Sequence, residues 1–169
     1  MKNLFLISLI NILIFSFYCC DSSESIIEIT VKDGNSWSSN PDLDFASDAI
    51  VSLYKSRSDV IANNLPDYKD VTDATGKVRI KVNYQDKYYF IVQKVNAKNV
   101  IDGLLIYKIF ESQSEINISP NQTPAPTPGS PMFIDWNQDA IVDAQDRIYA
   151  DSILVNENHV ATKTSIIYY

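Results

Sequence analysis

The chain has 169 residues and a formal net charge of −7, with 21 acidic and 14 basic side chains. This length suits one domain with its own apolar core, and the acidic balance argues against nucleic acid and anionic lipid headgroups as partners. The only two cysteines, Cys19 and Cys20, are adjacent and bridge poorly because their side chains point apart. We therefore expect a fold that depends on packing rather than on disulfides.

The N-terminal segment, MKNLFLISLINILIFSFYCC, has the features of an export signal. A lysine precedes an apolar run from Leu4 to Tyr18, which is shorter than the ~20 residues that span a bilayer core. A short apolar run behind a basic N-terminus predicts a signal peptide, to be excluded from the fold.

The two cysteines and the DSSES that follows them resemble a bacterial lipoprotein signal, which is cut before a diacylated cysteine. The resemblance implies a signal peptide over residues 1–19, acylation of Cys20 and a tether over 20–25. Attachment to the outer membrane, with exposure at the cell surface as an option, is the expected location. Acylation of Cys19, and an ordinary secretory signal with an incidental disulfide, are the alternatives.

After this segment, β-forming stretches alternate with turn residues. The candidate strands are 26–33, 49–56, 77–84, 87–95, 103–110 and 161–169. In 77–84 three aliphatic residues alternate with Arg79 and Lys81, which is the pattern of a half-buried strand. The unbroken run 87–95 predicts a strand buried on both faces. Gly76 occupies the turn before 77–84 at a position that tolerates positive φ.

No stretch sustains a helical period, and short strands separated by turns predict an all-β sandwich over residues 26–169. The order "AIVSLYKS … TDATGKVRIKV … DKYYFIVQK" resembles the carboxypeptidase regulatory-like, transthyretin-like domain family. The matching residues are Ala49, Val51, Leu53, Tyr54, Thr72, Asp73, Gly76, Lys77, Tyr88 and Tyr89. Over about residues 26–96 the resemblance implies a Greek-key sandwich of binding or structural type, without catalysis. Another sandwich with a common turn is the alternative.

Five of the seven prolines lie in PNQTPAPTPGSP, residues 120–131. Proline has no amide hydrogen to donate, so the segment 119–131 predicts an arm of polyproline character without strand ladders. It leads to the acidic segment that follows, either as a semi-rigid arm or as a spacer without a role of its own.

The acidic segment FIDWNQDAIVDAQDR, residues 133–147, crowds four aspartates and an asparagine into one short stretch. Counted from Asp135, the spacing of an EF-hand calcium loop is filled over 135–146 by Asp135, Asn137, Asp139, Ile141, Asp143 and Asp146. Calcium takes ~6–8 oxygen ligands, and position seven contributes a backbone carbonyl, which leaves its side chain free. We expect a structural calcium ion here, with Ile141 and Val142 packed on the core.

Two residues depart from that loop pattern. Ala140 takes the sixth position, where glycine is usual because the backbone has positive φ, at a cost on the order of 1 kcal/mol. Asp146 replaces the usual glutamate of the last position, so we expect weak binding, roughly micromolar to millimolar. A solvated acidic turn without metal, and the carboxylate pair of a hydrolase, are the alternatives.

Residues 102–150 resemble an extracellular segment of the starch-utilisation type of TonB-dependent transporter in Bacteroidetes. Besides the acidic loop and Arg147, the matching residues are Ile109, Phe110, Ser112, Gln113, Glu115, Ile116, Pro128 and Gly129. The chain is too short for a transporter barrel. The resemblance therefore implies a shared structural calcium module and a Bacteroidetes-like origin, without a shared substrate.

The remaining residues suggest little further chemistry. His159 has no second histidine or cysteine for zinc, and the ten tyrosines are expected in the core or on a sheet face, with sugar contact as a minor option. We predict a lipid-anchored surface lipoprotein that is not an enzyme and acts as a binding or accessory module toward an envelope protein or a glycan. The alternative is a structural or adhesive envelope subunit that pairs through a sheet edge.

Overall fold

The computed structural model describes residues 24–169, so the predicted signal peptide and Cys20 lie outside the described residues. The strands are β1 (Glu24–Asp33), β2 (Asp44–Phe45), β3 (Ile50–Tyr54), β4 (Tyr68–Val71), β5 (Lys77–Asn83), β6 (Lys87–Lys94), β7 (Ala97–Lys98), β8 (Val100–Ile101), β9 (Leu104–Ile109), β10 (Asn121–Gln122), β11 (Pro131–Phe133), β12 (Ile141–Val142), β13 (Asp151–Leu154) and β14 (Val160–Ile167). The helices are α1 (Arg57–Ile61) and α2 (Gln113–Ile116), with 3-10 turns at Gly34–Ser36 and Ala144–Asp146. Among these elements, no helix has the length and hydropathy needed to cross a membrane.

The predicted all-β sandwich is confirmed. One sheet places β1 between β5 and β14 and adds β2, while the other runs β13-β6-β3-β4 with β7 on β6. The inward side chains of both sheets form one buried cluster, which includes Ile27, Ile29, Val31, Val51, Leu53, Val78, Ile80, Tyr88, Phe90 and Val92. In each of the long strands β1, β3, β5 and β6, buried residues alternate with half-buried or exposed ones, so only one face of each sheet packs into the core.

The longest predicted strands all form, with a correction at β6. Tyr88, Phe90 and Val92 are buried, but the residues between them are half-buried or exposed, so β6 is not buried on both faces. The outward face carries Tyr89 and Ile91 because the second sheet covers only the other side. A continuous apolar run therefore did not mean a doubly buried strand here.

The first and last strands pair in parallel, with Ile26 opposite Val160 and Asp33 opposite Ile167. This pairing brings both ends of the described chain to one sheet. Within the described residues β1 already includes Glu24 and Ser25, two residues before the predicted strand, because both pair with β5. The buried Ser25 hydroxyl also donates to the Asn156 carbonyl at 3.1 Å. The Greek-key order stays a prediction.

The turn before β5 forms as the sequence predicts. The Asp73 carboxylate accepts the amides of Thr75 at 2.8 Å and Lys77 at 3.1 Å. Gly76 has φ +69, and a Cβ built there would lie 2.6 Å from the Val31 carbonyl oxygen. Glycine is therefore required both by the left-handed backbone and by the close approach to β1.

The proline-rich arm is paired at both ends, contrary to the expectation of no strand ladders. At its start β10 pairs with β12, and at its end β11 pairs antiparallel with β9. Gly129 donates to the Phe110 carbonyl at 2.8 Å, and the Trp37 ring covers Gly129. The prolines lie mainly between these contacts, where no amide donor is needed.

Candidate functional site

The acidic loop closes on itself through the carboxylate of Asp146. One oxygen accepts the amides of Trp136 at 2.7 Å and Asn137 at 3.1 Å, and the other accepts the amide of Asp143 at 2.9 Å. Asp146 is only 1% exposed. The twelfth residue of the predicted calcium loop is thus folded back onto the second and third.

The charge of Asp146 is stabilised by those amides. Burial by itself raises the pKa of the Asp146 carboxyl, but the backbone N–H groups of Asp143, Asn137 and Trp136 outweigh burial. The pKa is therefore held below the ordinary value of 3.8. At neutral pH the loop contains a buried, ionised carboxylate at the point where its two ends meet.

Asp135, Asn137 and Asp139 form a single tight turn at the start of the loop. The Asp135 carboxylate accepts the amides of Gln138 at 2.7 Å and Ala140 at 2.9 Å. The Asn137 side-chain amide donates to the Asp139 carboxylate at 3.0 Å, so positions three and five are in direct contact. A carboxylate has about four lone-pair directions, so these contacts leave acceptor capacity on Asp135 and Asp139.

The backbone bends where the calcium-loop pattern requires it. Ala140 has φ 68 and Gln138 has φ 62, so both are in the left-handed region. Alanine is uncommon in this region because its Cβ crowds the carbonyl oxygen. The sixth position therefore adopts the expected conformation, although the residue there is not glycine.

The apolar pair in the loop differs from the prediction. Val142 is 6% exposed and packs inward, whereas Ile141 is 51% exposed. The reason is the strand period, because β12 holds these two neighbours and turns them to opposite faces. Ile141 remains the residue whose carbonyl falls at the seventh position, but its side chain does not join the core.

The structure brings together most of the predicted ligands but not all of them. The side chains of Asn137 and Asp139 are in contact, and the Asp146 carboxylate reaches this turn through the backbone amides of Trp136 and Asn137. The Asp143 carboxylate instead turns toward the Gln145 amide at 2.7 Å. Across residues 24–169 no three His, Cys, Asp or Glu side chains are grouped to hold one metal ion. The donor set is all oxygen and fits a hard cation such as calcium. In the described conformation these oxygens are engaged by backbone amides.

Contacts on two sides join the loop to the rest of the molecule. The amide of Asn121, in the proline-rich arm, donates to the Ala140 carbonyl at 2.9 Å. On the other side the Arg57 guanidinium lies 5.8 Å from the Trp136 ring centroid and 5.5 Å from that of Tyr89. Such cation–π contacts connect the loop to α1 and to the outer face of β6.

Sequence reasoning did not identify Arg57 or Asn121 as part of this site. Asn121 lies in a proline-rich stretch that gave no strand signal, and Arg57 lies far from the loop in the chain and outside the predicted strands. Only the arrangement of the arm and of α1 in three dimensions places them beside residues 135–146. A local pattern holds no information on such long-range pairs.

Comparison with known proteins adds little. No family model matches the chain, and no curated protein matches it. Among solved structures, chlorocatechol 1,2-dioxygenase from Pseudomonas putida aligns with 89% of this chain and 62% of its own length, at 16% identity and a TM-score of 0.35. That similarity is too low to support an argument about fold or function.

Proposed function

We propose that this protein is a lipid-anchored outer-membrane or cell-surface lipoprotein that acts as a non-catalytic binding or accessory module, with a structural calcium loop. The observation that carries the metal part is the closure of residues 135–146 by the buried carboxylate of Asp146. Closure places the ends of an oxygen-rich turn side by side, and the left-handed backbone at Ala140 supports the same assignment.

Calcium would stabilise more than the loop itself. Asp135, Asn137, Asp139 and Asp146 would supply side-chain oxygens, and the ion would balance the like charges that the turn brings together. Because Asn121 is hydrogen-bonded to Ala140, order in the loop is transmitted to the proline-rich arm. The ion's role is therefore to fix the arm and the loop on the sandwich.

A binding module is favoured over a subunit that pairs through a sheet edge. Within the described chain, β5 hydrogen-bonds to β1 alone, so its other side is an edge. Lys77, Arg79 and Lys81 are exposed along that strand. Charged residues, lysine above all, are the usual means by which proteins prevent strand addition at an edge.

Thermal unfolding of the full chain in detergent micelles, with calcium and with chelator, tests the metal. We expect calcium to raise the unfolding midpoint of the wild-type protein, because an ion that binds only the folded state stabilises it. The Asp135→Ala variant should lose this rise. Identical curves up to millimolar calcium would leave a solvated acidic turn without metal.

The lipid anchor is tested separately by metabolic labelling with an alkyne fatty acid. The Cys20→Ser variant should lose both the label and its place in the membrane fraction, while Cys19→Ser should keep them. If Cys20→Ser keeps the label and Cys19→Ser loses it, the acylated residue is Cys19 instead. Absence of the label from the wild-type protein would overturn the anchor.

A further inference from the structure

A polar groove lies on the outer face of the β4-β3-β6-β7 sheet. The register aligns Ser52 of β3 with Lys69 of β4, and Gln93 of β6 with Lys98 of β7. Ile50 lies opposite Gln93, so these side chains form one continuous surface across four strands. In β3, β6 and β7 the neighbouring residues Val51, Leu53, Val92 and Ala97 are buried, and this face is therefore the one turned away from the second sheet.

Two walls convert that face into a cavity of about 460 Å³. One wall is the end of α1, with Val60 and Asn63, and the other is the turn at Asp102 and Gly103 with Tyr149. This volume lies within the range of roughly 300–1,000 Å³ that is typical of ligand sites. A fold with exposed sheet faces would not by itself produce two such walls.

Three of the nine non-glycine residues with positive φ among residues 24–169 lie in these walls. Asn63 has φ 54, Asp102 has φ 51 and Tyr149 has φ 62, and all three line the groove. For a bulky residue such as tyrosine this conformation is an outlier, and strained residues of this kind cluster at ligand sites. The Tyr149 amide donates to the Gly103 carbonyl at 2.9 Å, which fixes the Tyr149 backbone against the turn at Gly103.

The charge of the groove is opposite to that of the whole chain. Lys69 and Lys98 both line it, whereas Asp102 is its only acidic residue. Neither lysine forms an ion pair with a carboxylate of the described residues. With strands about 4.8 Å apart, the backbones of β4 and β7 are separated by roughly 14 Å. The two lysines thus belong to strands on opposite sides of the groove, an arrangement that suits an extended ligand with spaced negative charges.

The other lining groups select a ligand rich in hydroxyls. Ser52, Tyr54, Asn63 and Gln93 offer hydroxyl and amide groups that both donate and accept hydrogen bonds. Tyr54 and Tyr149 add aromatic surface, which is apolar on the ring and polar at the hydroxyl. We propose that this groove binds an acidic oligosaccharide, with uronate carboxylates at Lys69 and Lys98 and sugar rings against the tyrosines.

This inference rests on the proposed binding role but not on the ion or the anchor. It names a site and a ligand class for the module. Arg57, which stacks on Trp136 of the calcium-type loop, also stacks on Tyr89, and Tyr89 lies opposite Tyr54 of the groove. The loop therefore supports α1, which forms one wall, without contributing a ligand contact itself.

Isothermal titration of the full chain in detergent micelles tests the proposal. The probe is a hyaluronan tetrasaccharide, which carries two uronate carboxylates separated by a neutral sugar, and its carboxyl-reduced form is the uncharged control. At about 0.15 M salt, exposed charges more than ~8 Å apart are screened, so a remaining difference reports contacts within the groove. We expect the acidic probe to bind at least tenfold more tightly than the reduced one.

The matched variants are Lys69→Gln with Lys98→Gln, and Lys77→Gln on the other sheet. All three lysines are exposed, so glutamine should leave folding intact. The double variant should lose at least tenfold in affinity, and Lys77→Gln should stay within twofold of the wild type. Absence of binding at millimolar probe, equal binding of both probes, or an unchanged double variant would each overturn the proposal.

The same samples separate this inference from the proposed function. A calcium-dependent midpoint and a fatty-acid label without binding of the acidic probe would overturn the groove assignment alone. Binding of the probe without a calcium effect would support the groove and remove only the metal. A Tyr149→Ala variant adds a second check, because it should weaken both probes by removing the wall that faces the sugar rings.

Discussion

At the scale of single residues, the acidic loop is defined by Asp146 and Ala140. Asp146 accepts three backbone N–H bonds from two parts of the loop, and no other carboxylate among the described residues of the loop joins segments so far apart. Ala140 adopts a left-handed conformation that alanine rarely adopts. One residue thus closes the loop and the other is forced by that closure into an unfavourable backbone conformation.

Replacing Ala140 by glycine should stabilise the protein. Glycine populates positive φ without a Cβ clash, and relief of this strain should raise the free energy of unfolding by about 1 kcal/mol. Chemical denaturation measures this change. Ala144→Gly is the control, since Ala144 lies in the same loop but outside the left-handed region, and it should have no stabilising effect. Equal effects of the two variants would contradict the explanation.

Asp146 should make stability depend on acid pH. Because its folded-state pKa lies below the ordinary 3.8, its contribution is fully present well above pH 3.8 and is lost as the pH falls through the folded-state pKa. Asp146→Asn should therefore destabilise the protein at pH 7, and its difference from the wild type should shrink below pH 3.8. Denaturation at a series of pH values from 7 to about 2 measures this difference in the free energy of unfolding. Asp143→Asn serves as the control. A difference between Asp146→Asn and the wild type that stays constant over this range would contradict the prediction.

At the scale of elements, the proline-rich arm is attached to the rest of the molecule at both ends. Its ends pair through β10 and β11, and Trp37 covers Gly129 between them. The prolines limit which amides can donate, and the pairs form at Asn121, Gln122 and the residues that follow Pro131. The arm thus connects β9 of the small sheet with the acidic loop.

Adding one methyl group at Gly129 should weaken the attachment of the arm. Gly129 has φ +91, and a Cβ built there lies 2.8 Å from a Trp37 ring carbon. Gly129→Ala should therefore loosen the arm, which limited proteolysis would detect as faster cleavage within 119–131. Ala125→Ser, at an exposed position of the same arm, should leave the cleavage rate unchanged. Equal cleavage of both variants would show that Trp37 does not hold the arm.

The strands that the sequence predicts best are those in which one face is buried. Val78, Ile80 and Val82 alternate with charged residues, and the sandwich buries them as the period indicates. β10 and β12 were not predicted, because two-residue strands carry no period and exist only through their partners. The candidate calcium ligands stay a prediction made from their spacing alone. Arg57 and the groove residues lie on distant segments, and a local sequence pattern does not show how such segments are placed beside one another.

At the scale of the whole molecule, buried apolar residues form two clusters of different size. The main cluster fills the space between the two large sheets, while Val100, Leu105 and Ile148 form a small one, with Ile91 and Ile134 packed against it. Ile134 and Ile148 flank the acidic loop, which therefore adjoins the small cluster, and the arm is joined to the loop through Asn121. Regions with few buried apolar contacts open at lower free energy than the core. We therefore expect the loop and the arm to open together, before the sandwich unfolds.

Hydrogen exchange with calcium and with chelator should show whether the loop and the arm open separately from the core of the sandwich. Removal of calcium should speed exchange at the amides of Asn121 and Ile141, which are bonded within the loop and the arm. The amide of Val92, bonded to the buried Asn99 side chain in the core, should keep its protection because it exchanges only through wider unfolding. Asp135→Ala should show the chelator pattern even with calcium present. An equal change at all three amides would mean that the ion stabilises the domain as one cooperative unit, and no change at any of them would exclude calcium from the loop.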